Sequence, residues 1–316
     1  MNCLVTGGAG FLGYHLVKRL RELGHDVVSL DNGMQPCHAP DKEYKYADIR
    51  YIDDLREYIK NADTVFHLAA QISVDKSIAN PQETIDINVA GTQNVLQLCR
   101  LYNVPMIFAS SSEIYGSSQR MYMAEDHPLD AQSPYAASKV AGDRLCYSYY
   151  KTYGMDVRIL RNFNTAGPYQ NGYGAVFSSF IEKALHDKPL EVFGDGTQER
   201  DYMWVGDAID AYLTIMDNGK PGMVLNAGTG KTVTVNEIAK LVLRHTGKDV
   251  KIVHTEPRPG EVQRLCCNNW DIRQLGWEPK ENVDFIVEKM VEARLAQGDG
   301  ERKIFVDGLY ERKMKI

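Results

Sequence analysis

The sequence contains no long apolar run. Nothing in its 316 residues approaches the ~18 consecutive apolar positions a membrane-crossing helix needs. The chain opens on the strand-like Asn2-Cys3-Leu4-Val5-Thr6 rather than on a charged and then apolar leader, so a soluble, cytoplasmic protein is expected, with no membrane partner. It also lacks a block of one charge: the formal net charge of −6 comes from interspersed acids and bases. No basic stripe is left to hold a nucleic acid. The six cysteines are scattered, with Cys266 and Cys267 adjacent, and form no CxxC pair; the eight histidines show no HExxH spacing. Neither a metal site nor a disulfide framework is expected. There is no internal repeat and no low-complexity tract.

What is present is a 44% hydrophobic content, ample for a large buried core. The N-terminal half alternates short β-branched runs, at 2–6, 26–30, 44–47, 63–68, 105–110 and 156–161, with helical stretches near 11–23, 51–60, 81–102 and 134–153. That alternation predicts an α/β fold, a doubly wound parallel sheet with right-handed crossovers. Beyond Asn164 the rhythm breaks into Gly- and Pro-punctuated pieces such as Thr165-Ala166-Gly167-Pro168 and Gly194-Asp195-Gly196-Thr197, which read as loops carrying binding groups. The sheet domain is expected over 1–165 with a returning segment near 200–228, which includes Gly222-Met223-Val224-Leu225-Asn226. A smaller lobe is expected over 166–316.

Directly after the first strand comes Thr6-Gly7-Gly8-Ala9-Gly10-Phe11-Leu12-Gly13, with glycines at 7, 10 and 13. Glycine allows a tight turn and a close approach of backbone to a pyrophosphate, and the following helix supplies unpaired N–H groups. Asp31 closes the second strand where a carboxylate meets adenosine ribose hydroxyls, and its neighbours Asn32 and Gly33 offer no cation for a 2′-phosphate. NAD is expected over NADP. Asp48, ending the third strand, is read either as touching the adenine edge or as a helix N-cap.

Tyr135 and Lys139 are four apart at the start of a helix introduced by Ser133-Pro134, so both project from one face. A phenol is a poor base at neutral pH, but a nearby ammonium and a positive nicotinamide ring favour the phenolate. The strand Met106-Ile107-Phe108-Ala109 runs into Ser110-Ser111-Ser112-Glu113-Ile114-Tyr115-Gly116, which delivers a hydroxyl and a carboxylate to the same edge. His67, ending a strand, reads as structural.

These motifs, with HLAAQISVDKS from His67 to Ser77, RNFNTAGP from Arg161 to Pro168 and GDGTQERDYMWVGD from Gly194 to Asp207, make the chain resemble the extended short-chain dehydrogenases, specifically the NAD-dependent epimerase/dehydratase family of sugar-nucleotide enzymes. The resemblance spans essentially the whole chain and implies a Rossmann sheet with a C-terminal substrate-binding lobe. It implies cofactor contacts from Gly7, Gly10, Phe11, Leu12, Gly13, Asp31, Asn32, Asp48, Ile49, Leu68, Ala69 and Ala70, and from Tyr135 as base and Lys139 on the nicotinamide ribose. Ser111 would hold the sugar oxygen, with Ser112 beside it. Asn164, Arg200 and Arg258 would hold the nucleotide diphosphate, the arginines through permanent charge and a fork of donors. A homodimer built from the 81–102 and 134–153 helices is expected. Leu145, Tyr147, Tyr149 and Tyr150 spread apolar surface over more than one face of the second.

The resemblance leaves the reaction divided. Oxidation at carbon 4 is common to the family, and a 4,6-dehydratase then needs a carboxylate to remove the proton at carbon 5. Glu113 stands where dehydratases place one, although Ser112 replaces the aspartate of dTDP-glucose dehydratases; the Ser-Ser-Glu order is more like GDP-mannose and UDP-N-acetylglucosamine dehydratases and UDP-xylose synthases. The order of preference is a 4,6-dehydratase, then a 4-epimerase, then a decarboxylase. Glu113 as a plain solvated carboxylate is the bland counterpart, and a cofactor-binding regulator without chemistry is the non-enzyme alternative.

Overall fold

The computed structural model describes residues 1–170, 176–257 and 262–297. The first half of the chain runs β1 (Asn2–Thr6), α1 (Phe11–Glu22), β2 (Asp26–Asp31), β3 (Lys45–Tyr46), α2 (Ile52–Lys60), β4 (Thr64–His67), α3 (Val74–Ala79), α4 (Pro81–Ile85), α5 (Thr92–Tyr102), β5 (Met106–Ser111), α6 (Pro134–Tyr153) and β6 (Val157–Asn162). The second continues through β7 (Asn164–Ala166), α7 (Val176–Leu185), β8 (Leu190–Phe193), β9 (Glu199–Arg200), β10 (Tyr202–Trp204), α8 (Val205–Asn218), β11 (Val224–Ala227), β12 (Val233–Thr234), α9 (Val235–Thr246), β13 (Ile252–Thr255), β14 (Arg264–Leu265), α10 (Trp270–Arg273) and α11 (Val283–Ala296).

Seven parallel strands form one sheet in the order β11-β6-β5-β4-β1-β2-β3. This is the expected doubly wound sheet. Because β1 pairs with β2 on one side and β4 on the other, the chain reverses its winding there, and a crevice opens beyond the carboxyl ends of those strands. Neighbouring residues in β1 feed opposite faces. Leu4 packs with Val65, Leu55, Val95 and Phe108 beneath α2, α5 and α6, whereas Val5 packs with Phe66, Leu16, Leu20, Tyr212 and Trp277 beneath α1 and α8. Burying one such side chain is worth about 1.5–3 kcal/mol, so strands with both faces covered are apolar throughout.

After β6 the chain leaves the sheet and re-enters it through α8 and β11, the latter pairing with β6 in register Val224 to Ile159. A separate core, built on Phe177, Phe180, Val192, Ile238, Val242, Ile286 and Met290, joins α7, α9 and α11 with the paired strands β8 and β13. The helical stretch expected over 81–102 is one continuous helix interrupted by a π-helical turn, 86–91, because Asp86 and Thr92 both keep right-handed helical backbone. The periodicity missed α3, which Ser73 caps by accepting from the Lys76 N–H at 3.2 Å. No helix among the described residues is long and apolar enough to cross a membrane.

Candidate active site

Two sets of side chains meet in the crevice. The first is the turn after β1. Gly7 adopts φ +72°, and a Cβ there would lie 2.7 Å from the Ala69 nitrogen, so the turn and the Leu68-Ala69-Ala70 segment after β4 are in contact through backbone. A Cβ on Gly10 would meet only the Gly7 carbonyl, at 3.1 Å, which leaves open space before the α1 N-terminus where a pyrophosphate fits. Phe11, Leu12 and Gly13 form the first turn of that helix. Asp31 ends β2 and ties itself to the same turn: its carboxylate accepts from the Ala9 N–H at 3.1 Å and the Gly33 N–H at 2.7 Å. Burial raises the Asp31 pKa, and those backbone donors oppose the rise. These residues fit a dinucleotide.

Asp48 serves differently from its N-cap reading. Tyr51 is the N-cap of α2, and the buried Asp48 carboxylate instead receives Arg50 through Nη2 at 2.6 Å and Asn32 through Nδ2 at 3.2 Å. Against the cost of burial, Arg50 and Asn32 hold its pKa below the ordinary range. The hydrogen-bonding capacity of Asn32 and Asp48 is therefore partly spent on each other, and Ile49 is buried beside Gly91.

The second set lies at the ends of β5 and α6. Ser133 caps α6, accepting from the Ala136 N–H at 3.1 Å, and Pro134 fills the first helical position, where a missing N–H costs nothing. That start sets Tyr135 at 9% exposure, its hydroxyl hydrogen-bonded to Ser111. Burial, with the Glu113 charge, pushes Tyr135 up to about 12, against the pull of Ser111. Lys139 donates to the Ala109 carbonyl and rests over the Phe108 ring, 4.5 Å from its centroid. Burial lowers Lys139 to about 8.

Ser111 accepts from the Glu113 N–H at 3.2 Å, which starts a 3₁₀ turn, 112–115, and brings that carboxylate to the same edge as Tyr135. Glu113 is no solvated surface acid: burial raises its pKa, and the charge of Arg200 pulls it back. Ser112 is turned into the protein at 1% exposure, so it presents no hydroxyl to the crevice. Asn164 is half-buried at the start of β7, paired with Tyr202 of β10, and Arg200 ends β9 close by in the chain. Arg258 lies outside the described residues. No group of three metal-ligating side chains occurs among the described residues.

A family profile for the NAD dependent epimerase/dehydratase family matches residues 3–228. The chain belongs to that family. Its members among similar proteins include a UDP-glucose 4-epimerase of Mycolicibacterium smegmatis, 34% identical over 92% of this chain and 98% of the relative. A UDP-N-acetyl-alpha-D-glucosaminuronate decarboxylase of Bacillus cytotoxicus is 34% identical over 80% of this chain and 82% of the relative. The crystal structure of a dTDP-glucose 4,6-dehydratase from Streptomyces venezuelae with NAD bound superposes with a TM-score of 0.87 at 30% identity, over 94% of this chain and 97% of that one. The protein is thus an NAD-dependent enzyme of the nucleotide-sugar epimerase, dehydratase and decarboxylase group.

Residues to which the sequence assigned no catalytic or binding role, among them His67, read there as structural, hold the epimerase/dehydratase site in place. Asn88, in the π-turn, donates to the Gln71 carbonyl at 2.9 Å and to Ser138 at 2.8 Å, and accepts from the Gln71 N–H at 2.8 Å. It fastens the loop after β4 to the helix bearing Tyr135. Asp143 and Arg161, both fully buried, pair at 3.0 Å, and Arg161 also donates to Tyr115, which donates to Asn226 at 2.6 Å. His67 is held between Thr6, at 2.7 Å, and Thr92, at 3.0 Å, and burial takes its pKa down to about 3, which keeps it neutral. For Asn88 and Asp143, outside the quoted motifs, the sequence signal was a polar residue inside an otherwise apolar helix face.

Proposed function

We propose that this enzyme is a nucleotide-sugar 4,6-dehydratase, in which Glu113 supplies the acid–base function that oxidation at carbon 4 alone does not require. The observation that carries the reading is the Glu113 carboxylate, half-buried and raised in pKa, at the edge that also holds Ser111 and Tyr135. A carboxylate raised in this way is tuned toward taking a proton.

NAD, when bound along the Gly7–Gly13 turn with Asp31 on its adenosine ribose, supplies the hydride acceptor and later the hydride donor. Ser111 holds the carbon 4 oxygen, and Tyr135 takes its hydroxyl proton. Lys139 binds the nicotinamide ribose, and its charge favours the phenolate once it faces the cofactor. The ketone so formed acidifies carbon 5. Glu113 removes that proton and passes it to the oxygen at carbon 6, which leaves as water; carbon 6 would then take the hydride back, and carbon 5 the proton that Tyr135 took up. Asn164 and Arg200 face the diphosphate of the substrate. On this reading the enzyme works as a homodimer through the 81–102 and 134–153 helices.

Glu113→Gln tests the assignment. Oxidation should continue, while elimination falls by about 10²–10⁴, as expected for the loss of a positioned base. Reduced nicotinamide and a 4-keto sugar should accumulate without loss of water. The second reading, a 4-epimerase, is favoured by the relative named UDP-glucose 4-epimerase and needs no second base. A variant that turns a nucleotide sugar into an isomer of equal mass at the parent rate would overturn the dehydratase reading. Mass measurement on a panel of UDP-, GDP-, dTDP- and CDP-sugars also separates both from decarboxylation.

A further inference from the structure

The Lys139 ammonium is 5% exposed and takes part in no ion pair among the described residues. The nearest carboxylate on its own helix is committed elsewhere: Asp143 accepts from Arg161, Arg144 and Ser110. A buried ammonium with no carboxylate partner should lose its proton unless something else compensates. Asp143 favours the charge only through space; among the described residues the groups in contact with it are the Ala109 carbonyl and the face of Phe108. A carbonyl dipole satisfies one of three N–H donors, and the ring quadrupole supplies negative potential over an area.

The ring is placed for this from both sides. Behind it His67, locked between two threonine hydroxyls, lies 5.8 Å from the Phe108 centroid. On the α6 side, Gly142 stands three residues after Lys139, and a Cβ there would come within 2.8 Å of Phe108 Cζ. A side chain at 142 would displace the ring. The absence of one on α6 lets the phenyl ring lie flush against the helix that carries the lysine.

We propose that Phe108 is a positioning residue for Lys139, its ring face seating the ammonium so that it stays charged and aimed at the cofactor edge. The inference rests on the catalytic reading of Lys139 only for its purpose; the seating itself is a property of the fold. The titratable groups that interact with the ammonium are Asp143 and Cys146 on α6 and His67 on β4, with Tyr135 one turn back on its own helix. Of these, His67 is neutral and Asp143 is matched by Arg161, so the ring is the one element whose removal leaves the other charges unchanged.

The test reads the lysine directly. Full-length protein loaded with NAD is labelled with [6-¹³C]lysine, the Lys139 signal is assigned through Lys139→Met, and its titration is followed by NMR. Phe108→Leu, which keeps apolar volume and removes the π face, should lower the midpoint by about one pH unit. Gly142→Ala should lower it as well, by pushing the ring away while leaving Phe108 in the sequence. If Phe108→Leu fails to fold by circular dichroism, Gly142→Ala and Phe108→Met decide the matter. Midpoints that stay within about 0.2 units of the parent in folded variants overturn the proposal, since a desolvated cation–π contact should move them further. Failure of the catalytic reading would show separately, as parent-level turnover in Lys139→Met, and would leave the titration result untouched.

Discussion

At the scale of single residues, the preference for NAD over NADP is proposed to rest on Asp31. Its carboxylate closes β2 and binds the Gly turn through Ala9 and Gly33, which on this proposal fixes it where adenosine hydroxyls would arrive and where a 2′-phosphate would meet like charge. Asp31→Ala should weaken NAD by about ten-fold or more, the usual range for losing a hydrogen bond to a charged group, and should relax discrimination against NADP. Fluorescence titration with both cofactors measures this; equal affinity of the parent for the two would rule out the role given to Asp31. At Tyr135 burial, which the sequence does not show, pushes the phenol up, whereas the help to the phenolate is expected from the Lys139 ammonium and the nicotinamide ring together.

At the scale of elements, α6 is anchored by charge as well as by apolar contact. Asp143 and Arg161 join it to β6, and the Ser110 hydroxyl joins it to β5 at 2.8 Å. Asp143→Ala would leave the Arg161 guanidinium buried without an opposite charge, at a cost of about 3–5 kcal/mol. Replacing both, as Asp143→Leu with Arg161→Met, should recover most of that loss because no unpaired charge remains. Urea unfolding of the three proteins measures it; a double variant no more stable than Asp143→Ala would refute the electrostatic account. What could be read in the sequence follows the same division. Strands such as Asn2–Thr6 and the helix behind Ser133-Pro134 were legible because periodicity and caps act locally. The π-turn at 86–91 was not, since its reason is tertiary: it puts Asn88 against Gln71 and Ser138, contacts 17 and 50 residues away in the chain. Glu113 was visible as a letter in a motif, whereas its burial and its neighbour Arg200 were not.

At the scale of the whole molecule, the outer side of the α4–α5 helix and of α6 leaves apolar groups in water: Ile85 at 40% exposure, Leu101 at 61% and Tyr153 at 55%. Much of the aromatic surface that first suggested pairing is already used within the chain, since Tyr149 is buried in the core and Tyr150 packs over Gly222. On the proposed homodimer, Leu101→Glu with Tyr153→Glu should yield monomers by light scattering, and a parent that is monomeric at every concentration would rule the arrangement out. The order in which the sheet is assembled has a further consequence, for synthesis on the ribosome. β6 waits for β11, which pairs with it only after more than sixty intervening residues have emerged, from Asn162 to Val224. Until then the growing chain carries a bare, largely buried-type strand edge at Val157–Asn162, the sort of edge that pairs with strangers. The excursion through the smaller lobe therefore sets a vulnerable interval during translation, in which a pause between these two strands leaves the nascent chain most exposed to aggregation or in need of a chaperone.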